Sequence, residues 1–366
     1  MKVLFIVPYP KEGPSYRYRV EQFIPFLEQN GVKCRVSSFM SSDFYNYLYR
    51  QKKRDTLKLL YYFLQGTARR VLDLFRAEAA DLIFVHLEAF PIGPPVLEWL
   101  WTRLKKPIVF DLDDAIFMKK KVGSNNRLVN FLKYPAKIPG IIKLSSQVTV
   151  CNDYLKQYAA QYIPEDRIHV IPTSIDIGQF GIKKDLAKGD PLTIGWIGSH
   201  TTAPYLDLLR GVFEALSKKY DFVLKIVGAG RDFQIPGVKI INREWNLGRD
   251  VEEFQSLDIG VYPLPSDEWI KGKTGFKTCQ YLSVGVPCVV SNLGRNREII
   301  QDGVNGFLAL DEQEWVNKLS LLIEDKDMRK RFAQAGRKTV RERFSVDVNA
   351  PRLLAVLRQA YNEHRR

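Results

Sequence analysis

The chain has 366 residues, 45% of them hydrophobic and 26% charged, a length that accommodates two domains and a composition that excludes wholesale disorder. No apolar run reaches the roughly 18 to 20 residues that a bilayer-spanning helix needs, which excludes a transmembrane protein. The net charge is +14, with 26 basic and 16 acidic residues up to residue 175 against 29 and 25 beyond it, so an anionic partner is expected on the N-terminal half.

In chain order, Val3 to Val7 is a continuous apolar run of the kind found in a strand buried on both faces. No small-residue cleavage site comes after it, so it reads as a first strand and not as a signal peptide. After the loop from Pro8 to Pro14, Ser15 is placed to cap a helix carrying Val20, Phe23, Ile24 and Leu27 at helical spacing. Asn30-Gly31 stops it. Further strands are predicted at Cys34 to Ser38, Asp81 to His86, Pro107 to Phe110, Val148 to Cys151 and His169 to Ile171. Strands separated by helices imply a parallel sheet covered on both faces.

The stretch Ile175 to Pro191 is polar, with Gly178, Gly181 and Gly189, and reads as a linker. A second α/β series comes next. Strands are predicted at Leu192 to Ile197, Phe222 to Val227, Val238 to Ile241, Asp258 to Tyr262 and Pro287 to Ser291. Helices are predicted at Leu206 to Leu216, Asp250 to Leu257 and Phe276 to Val284, with three helical pieces from Glu312 on. The expected domains are residues 1–175, a linker at 176–191, residues 192–345, and a last helix within 346–366. Two α/β halves place the expected active site in the cleft between them.

One segment breaks the alternation. Tyr45 to Arg76 carries Arg50, Lys52, Lys53, Arg54, Lys58, Arg69, Arg70 and Arg76 among Leu57, Leu60, Tyr61, Leu64 and Phe75. It fits either an amphipathic helix at an anionic membrane surface or a surface helix packing its apolar stripe on the sheet. A second basic stretch runs through Lys119 to Lys121, Arg127, Lys133 and Lys137. No pattern of RNA- or DNA-binding modules accompanies these cations, so nucleic acid is not expected as a partner. The four cysteines, Cys34, Cys151, Cys279 and Cys288, form no CxxC pair, and the four histidines are scattered. That argues against a zinc module or disulfide scaffold and fits a reducing cytoplasm.

Four features offer chemistry from residue type alone. Pro263-Leu264-Pro265 leads into a loop with Lys271 and Lys273, and a helix starts near Gly275-Phe276 with Lys277 in its first turn. Free N–H groups at a helix start beside lysines form an anion site; the bland reading is a solvated basic loop. Asp111-Leu112-Asp113-Asp114 closes a predicted strand. It admits three readings: carboxylates that bind hydroxyls, a metal chelate through Asp111 and Asp113, or a strand-end cap. His86-Leu87-Glu88 ends another strand and fits a buried, satisfied histidine better than a cleft residue. Arg17 and Arg19 suit a bidentate clamp on phosphate, or an exposed helix face.

Residues 258–307 are similar to the nucleotide-binding half of retaining glycosyltransferases of family four, the "glycosyl transferases group 1" type. Gly285 and Pro287 match that family's Glu-Ala-Met-Ala-x-Gly-x-Pro-Val-Val helix ending, and Gly294, Glu298 and Gly303 to Phe307 resemble the family's next segment, a glycine, Glu-Ile-Ile and x-Gly-x-x-Gly-Phe. The likeness extends over nearly the whole chain, and the pattern Gly272-Lys273-x-Gly275-Phe276-Lys277-x-x-Gln280-Tyr281 looks like a branch of the family common in bacterial surface-polysaccharide pathways. It implies the GT-B architecture, α/β with two Rossmann-like domains facing each other across a cleft, the last helix crossing back to the first domain. It implies retention by front-face attack, without protein nucleophile, metal or cofactor, using a nucleotide-diphosphate sugar as donor. The acceptor would be a saccharide, lipid-linked or at the cell surface, and the enzyme cytoplasmic, peripheral on the inner face of the membrane.

The same resemblance assigns roles. The family's second glutamate, on the donor ribose, is Gln280 here, whose amide still exchanges hydrogen bonds; the first falls on Gly272, leaving Asp267 or Glu268 as substitutes. The usual arginine and lysine at the diphosphate are missing after Thr193 to Gly198. Backbone N–H groups of Gly198 and Ser199, the hydroxyls of Ser199, Thr201 and Thr202, and the cations of Lys273 and Lys277 would replace them. Gly228 and Trp245 fall near the nucleotide, with Gly275, Phe276 and Glu298 also on the donor side. Gly13 lies in the loop close to donor phosphate and acceptor, and Arg17, Arg19 and Asp114 fall toward phosphate or acceptor. Asp113 occupies the place of a histidine that contacts the donor sugar. Two other readings stay open: a nucleotide-sugar epimerase of the same fold, and a non-catalytic nucleotide-sugar-binding protein.

Overall fold

The structure, a computed structural model, describes residues 1–50, 55–118, 134–186 and 191–365. The chain divides into two units, Met1–Ser174 with Asn349–Arg366, and Ile175–Val348. Lys52 to Arg54, Lys119 to Lys121, Arg127 and Lys133 lie outside the described residues.

The first unit is a six-stranded parallel sheet in the order β2-β1-β3-β4-β5-β6. Its strands are β1 (Lys2–Val7), β2 (Lys33–Ser38), β3 (Leu82–His86), β4 (Ile108–Leu112), β5 (Gln147–Val150) and β6 (Ile168–Val170). Val3 pairs with Cys34 on one side and Leu82 on the other, and Phe110 pairs with Val148. Val3 to Val7 are all buried, as their unbroken apolar run requires; burying each such side chain is worth about 1.5–3 kcal/mol. The strand order reverses between β1 and β3, where a ligand crevice forms outside the carboxyl ends of such a sheet.

The helix predicted after Pro14 is broken. Helix α1 (Pro14–Arg19) ends at Val20, a 3-10 turn spans Glu21–Phe23, and α2 (Ile24–Gln29) begins anew. Pro25 lacks the N–H that a helix interior needs and is tolerated only in a first turn, so the chain restarts there. Nor does Ser15 cap: Gly13 is the N-cap residue, and the Ser15 hydroxyl is engaged elsewhere. The stop at Asn30-Gly31 is formed with Gly31 at φ +81°.

The basic aromatic segment is two helices, α3 (Ser42–Arg50) and α4 (Thr56–Glu78). Asp55 caps α4 through the Leu57 N–H at 2.8 Å. Arg70, expected among the exposed cations, is buried instead. It donates to Asp73 Oδ2 at 2.9 Å, to Ala89 O at 2.6 Å and to Val7 O at 2.7 Å, which pins α4 to the carboxyl ends of β1 and β3. Helix α5 (Val96–Arg103) packs beside α4, and α6 (Lys137–Leu144) and α7 (Asp153–Ala159) complete the described helices before residue 174.

The second unit is also a parallel six-stranded sheet, in the order β12-β11-β10-β7-β8-β9. Its strands are β7 (Leu192–Ile197), β8 (Phe222–Val227), β9 (Lys239–Arg243), β10 (Ile259–Tyr262), β11 (Cys288–Ser291) and β12 (Phe307–Ala309). The last is an addition to the predicted set. Helices α8 (Arg210–Ser217), α9 (Asp250–Gln255), α10 (Glu268–Lys271), α11 (Phe276–Ser283), α12 (Asn296–Ile299), α13 (Glu312–Glu324) and α14 (Lys326–Arg343) come in that order. The core gathers Trp196, Phe213, Phe222, Trp315 and Phe332 against the sheet. The helix predicted from Leu206 starts as a 3-10 turn at Ala203–Leu209 before becoming α8.

The expected linker is packed over its described part. Phe180 is buried, Lys183 Nζ reaches Asp258 Oδ1 at 2.9 Å, and Ile175 exchanges backbone hydrogen bonds with Phe344 and Val346. The last helix, α15 (Val346–Arg365), belongs from Asn349 on to the first unit, where Glu363 accepts from Gln147 at 2.8 Å. Among the described residues, no helix is long and apolar enough to cross a membrane.

Breaking a buried ion pair by removing one partner costs about 3–5 kcal/mol. Arg70→Met is therefore expected to lower the stability of the first unit by that order in urea unfolding, whereas Arg69→Met, at a partly exposed position on the same helix, shifts it by under about 1 kcal/mol.

Candidate active site

The strand ends of the first unit converge on one carboxylate. Asp111, in β4, is buried and accepts four hydrogen bonds. Arg19 grips it bidentately, through Nε at 3.1 Å and through Nη2; His86 Nδ1 lies at 2.8 Å and Thr149 Oγ1 at 2.6 Å. The third Arg19 donor goes to Ile171 O at 2.6 Å. Burial alone raises a carboxyl pKa; here Arg19 first, then His86, outweigh it and hold Asp111 well below the usual carboxylate range. Arg19 thus has its donors engaged within the protein, and the expected phosphate clamp is corrected to an internal anchor. Asp111 is likewise committed to protein donors. Among the described residues, no group of three or more His, Cys, Asp or Glu is arranged to hold a metal ion.

The network runs on to Asp113. His86 is buried, as the bland reading had it. Its Nε2 lies 2.6 Å from Ser15 Oγ, whose hydroxyl donates to Asp113 Oδ2 at 2.9 Å. An ionised Asp111 only accepts, so His86 Nδ1 donates to it. The Ser15 hydroxyl donates its one proton toward Asp113. The chain Asp111–His86–Ser15–Asp113 therefore fixes the orientation of Asp113 just beyond the β4 end. Asp114, beside it, is half-buried and accepts from the Ala115 N–H at 2.9 Å. Arg17 is half-buried, with its guanidinium 5.1 Å from the Tyr18 ring centre. Gly13 is buried, and its N–H donates to Pro10 O at 2.9 Å, closing the loop on itself. A Cβ there would lie 2.6 Å from that of Tyr9. Ser15 is the member of this network the sequence did not reveal: its hydroxyl looked like a helix cap.

In the second unit the candidate residues again sit at the carboxyl ends of strands. Gly198 comes directly after β7 and Gly228 directly after β8. A Cβ on Gly198 would strike the Trp196 ring at 2.1 Å, and one on Gly228 would strike Gly198 O at 2.4 Å and Trp245 Cβ at 3.1 Å. Gly228 also sits at φ +82°, so only glycine fits. This close approach brings Trp245, half-buried, onto the β7 and β8 ends. The backbone donors expected to meet phosphate are occupied. Gly198 N–H donates to Val227 O at 3.0 Å, and Ser199 N–H to Thr202 Oγ1 at 3.3 Å. The exposed Ser199 hydroxyl lies 2.8 Å from that of Thr201. With these two amides occupied, the Ser199 and Thr201 hydroxyls are donors this loop offers.

The lysine loop is built around Gly275, the N-cap of α11, at φ +66° and with Ile299 Cδ1 2.5 Å from where a Cβ would be. Phe276 N–H turns back to Thr274 Oγ1 at 3.3 Å. Lys273 and Lys277 are half-buried, their ammonium groups 5.5 Å from the Trp269 ring and 5.4 Å from the Phe254 ring. Aromatic faces hold both cations near the start of α11. Lys271 pairs with Glu268 at 2.8 Å, and Asp267 caps α10 through the Trp269 N–H at 3.2 Å. Neither carboxylate is thereby displayed as the missing one. Gln280 is buried on α11, and Glu298, on α12, is exposed with its carboxylate 3.5 Å from Arg295 Nε.

The Asp111 network sets a pH signature. A carboxylate whose folded pKa lies below its unfolded value stabilises the fold fully above the unfolded pKa of about 4, and that contribution fades as pH falls further. Asp111→Asn is expected to destabilise the first unit by about 3–5 kcal/mol at neutral pH, because Arg19 is left buried without its partner. The gap between variant and native chain should narrow in urea titrations run below about pH 4.

Comparison with known proteins bears on both units. Residues 18–179 match the model of "Glycosyltransferase Family 4", and residues 191–325 match that of "Glycosyl transferases group 1". No curated protein matches the sequence. Among solved structures, sucrose-phosphate synthase from Thermosynechococcus elongatus superposes with a TM-score of 0.70 at 12% identity, over 99% of this chain and 100% of that one. Anabaena Alr3699/HepE in complex with UDP-glucose gives 0.67 at 16% identity, covering 98% and 100%. A glycosyltransferase from Rickettsia africae gives 0.65 at 16% identity, covering 99% and 98%. At such identities the likeness is one of fold, and it is the GT-B fold of α/β glycosyltransferases. With two parallel six-stranded sheets, each carrying its own family match, the chain is a GT-B protein made of a Glycosyltransferase Family 4 domain and, after it, a Glycosyl transferases group 1 domain.

Proposed function

We propose that the chain is a retaining glycosyltransferase that moves a sugar from a nucleotide-diphosphate sugar to a hydroxyl of a saccharide acceptor. The acceptor is lipid-linked or at the cell surface, the pathway is polysaccharide biosynthesis, and the enzyme works at the inner face of the cell membrane. The observation that carries this reading is the pair of glycosyltransferase matches, one on each unit. The Anabaena neighbour, solved with UDP-glucose, makes UDP-sugars the first donors to try.

Breaking the anomeric C–O bond puts negative charge on the departing diphosphate and positive charge on the sugar. Groups fixed in advance against that charge lower the barrier. Lys273 and Lys277, held on aromatic faces, supply the cations, and the hydroxyls of Ser199, Thr201 and Thr202 supply further donors. The seat formed by Gly198, Gly228 and Trp245 takes the nucleotide, with Gly275, Phe276, Gln280 and Glu298 on the same side. Asp113, oriented through Ser15, holds sugar hydroxyls. Arg17, Asp114 and the Gly13 loop face phosphate or acceptor. Retention results from attack on the face the diphosphate leaves, with no covalent glycosyl-enzyme.

The test is release of nucleotide from UDP-, GDP-, ADP- and dTDP-sugars, with and without Mg2+ and then with acceptor lipid, and the anomeric configuration of the product. One donor turned over with retained configuration is expected. An inverted product, or no donor consumed under any of these conditions, overturns the reading. With that donor, Lys277→Ala should lower kcat about 10²-fold with KM little changed, the loss of a contact made to the developing charge. Gln280→Ala should mainly raise KM, the loss of a contact made equally to bound donor and transition state.

A further inference from the structure

Helix α4 has two faces of opposite character. Its inner face is saturated: Tyr62 stacks on Phe44 at 5.3 Å, Phe63 meets Phe39 and Phe90 at 5.6 Å, and Arg70 is pinned below them. Its outer face carries Leu57, Leu60, Leu64, Val71, Leu72 and Phe75, exposed by between 49% and 76%. At about 100° and 1.5 Å per residue, these six fall on an arc about 120° wide and about 27 Å long. Contiguous exposed apolar surface of this kind marks an interaction site. On α5, which packs beside α4, Trp99 is 45% exposed and the Arg103 guanidinium lies 5.0 Å from its ring.

Charge selects the occupant. Lys58, Arg69 and Arg76 occupy helix positions along one edge of the stripe, about 100–120° from its centre line; the Lys58 ammonium lies 4.9 Å from the Tyr47 ring and Arg69 donates to Phe39 O at 3.3 Å. The sole acid from Thr56 to Ala77 is Asp73, buried and shared by Arg70 and Arg76, so that trio keeps one net positive charge. A second copy of this chain, packed antiparallel about a two-fold axis, would set the two basic edges on the same side, cation against cation. An anionic bilayer surface meets both features at once, with aliphatic side chains below the headgroups and cations on the phosphates.

We propose that the outer face of α4, with Trp99 and Arg103 of α5, is a docking surface for an anionic lipid bilayer. It deepens the placement of the enzyme at a membrane and rests on that part of the reading above. It does not depend on donor chemistry.

The test is flotation of the full chain, without donor or acceptor, with vesicles of phosphatidylcholine mixed with phosphatidylglycerol and with vesicles of phosphatidylcholine alone. Binding to the anionic vesicles is expected, weaker at high salt, and weaker by about fivefold for Lys58→Ala. Leu64→Asp should abolish it. Leu64→Ser, together with thermal unfolding of each variant, separates lost docking from lost folding. No binding at low salt, or binding that these variants leave unchanged, overturns the proposal. So does a dimer in sedimentation that Leu64→Asp dissociates while vesicles are not bound. The same variants are assayed for nucleotide release on a water-soluble acceptor. Unchanged release with lost flotation supports a separate docking surface. Flotation without release by the native chain counts against the transferase reading alone, and release without flotation against the docking surface alone.

Discussion

A carboxylate that cannot reach water must be surrounded by donors, and in this protein that requirement organises the first unit. Asp111 draws in Arg19 from α1, His86 from the end of β3 and Thr149 from β5, while Arg19 also fastens the chain beyond β6 at Ile171. Four elements distant in sequence are thereby held at one point. The cost of burying these charges is met only because every partner is in place, so the network behaves as a unit that is whole or absent. Asp113 lies two residues beyond Asp111, and Ser15 four before Arg19. The position of the candidate sugar-binding carboxylate is a by-product of how its buried neighbour is satisfied.

The second unit reaches the same end by steric means. Its candidate site is set by backbone approaching backbone at Gly198 and Gly228 and by the left-handed N-cap at Gly275. Its Lys273 and Lys277 each lie against an aromatic ring, Trp269 and Phe254. A ring face positions a cation and leaves its charge in force. The two units thus show two ways of holding a polar group in advance of its substrate.

Legibility in the sequence was limited to local features. Strands buried on both faces write themselves as apolar runs, and Leu192–Ile197 and Phe222–Val227 were legible to the residue. Glycines 198, 228 and 275 were legible as site markers through family resemblance. Their reason, contact with Trp196, Gly198 O and Ile299, is a matter of tertiary packing. The roles of Arg19 and Arg70 were not legible. Each looked like an exposed cation, and for Arg19 the partner that buries it is 92 residues away. Ser15 failed for the same reason: a hydroxyl at a helix start is usually a cap, and here the histidine that claims it lies 71 residues on. β12, three residues long, is too short to show a period.

The assignment of α15 to the first unit has a consequence for the order of events during synthesis. The second unit is continuous from Ile175 to Val348, whereas the first is split, its final helix coming after everything else. A ribosome delivers the whole second unit before Asn349 emerges. Until then Gln147, buried in the finished sheet, waits for the Glu363 carboxylate, and Asn30 O for Arg358. Domains fold as units as their residues become available, so here the half begun first is closed last. Its β5, at Gln147, lacks this partner for the longest interval of the chain's making.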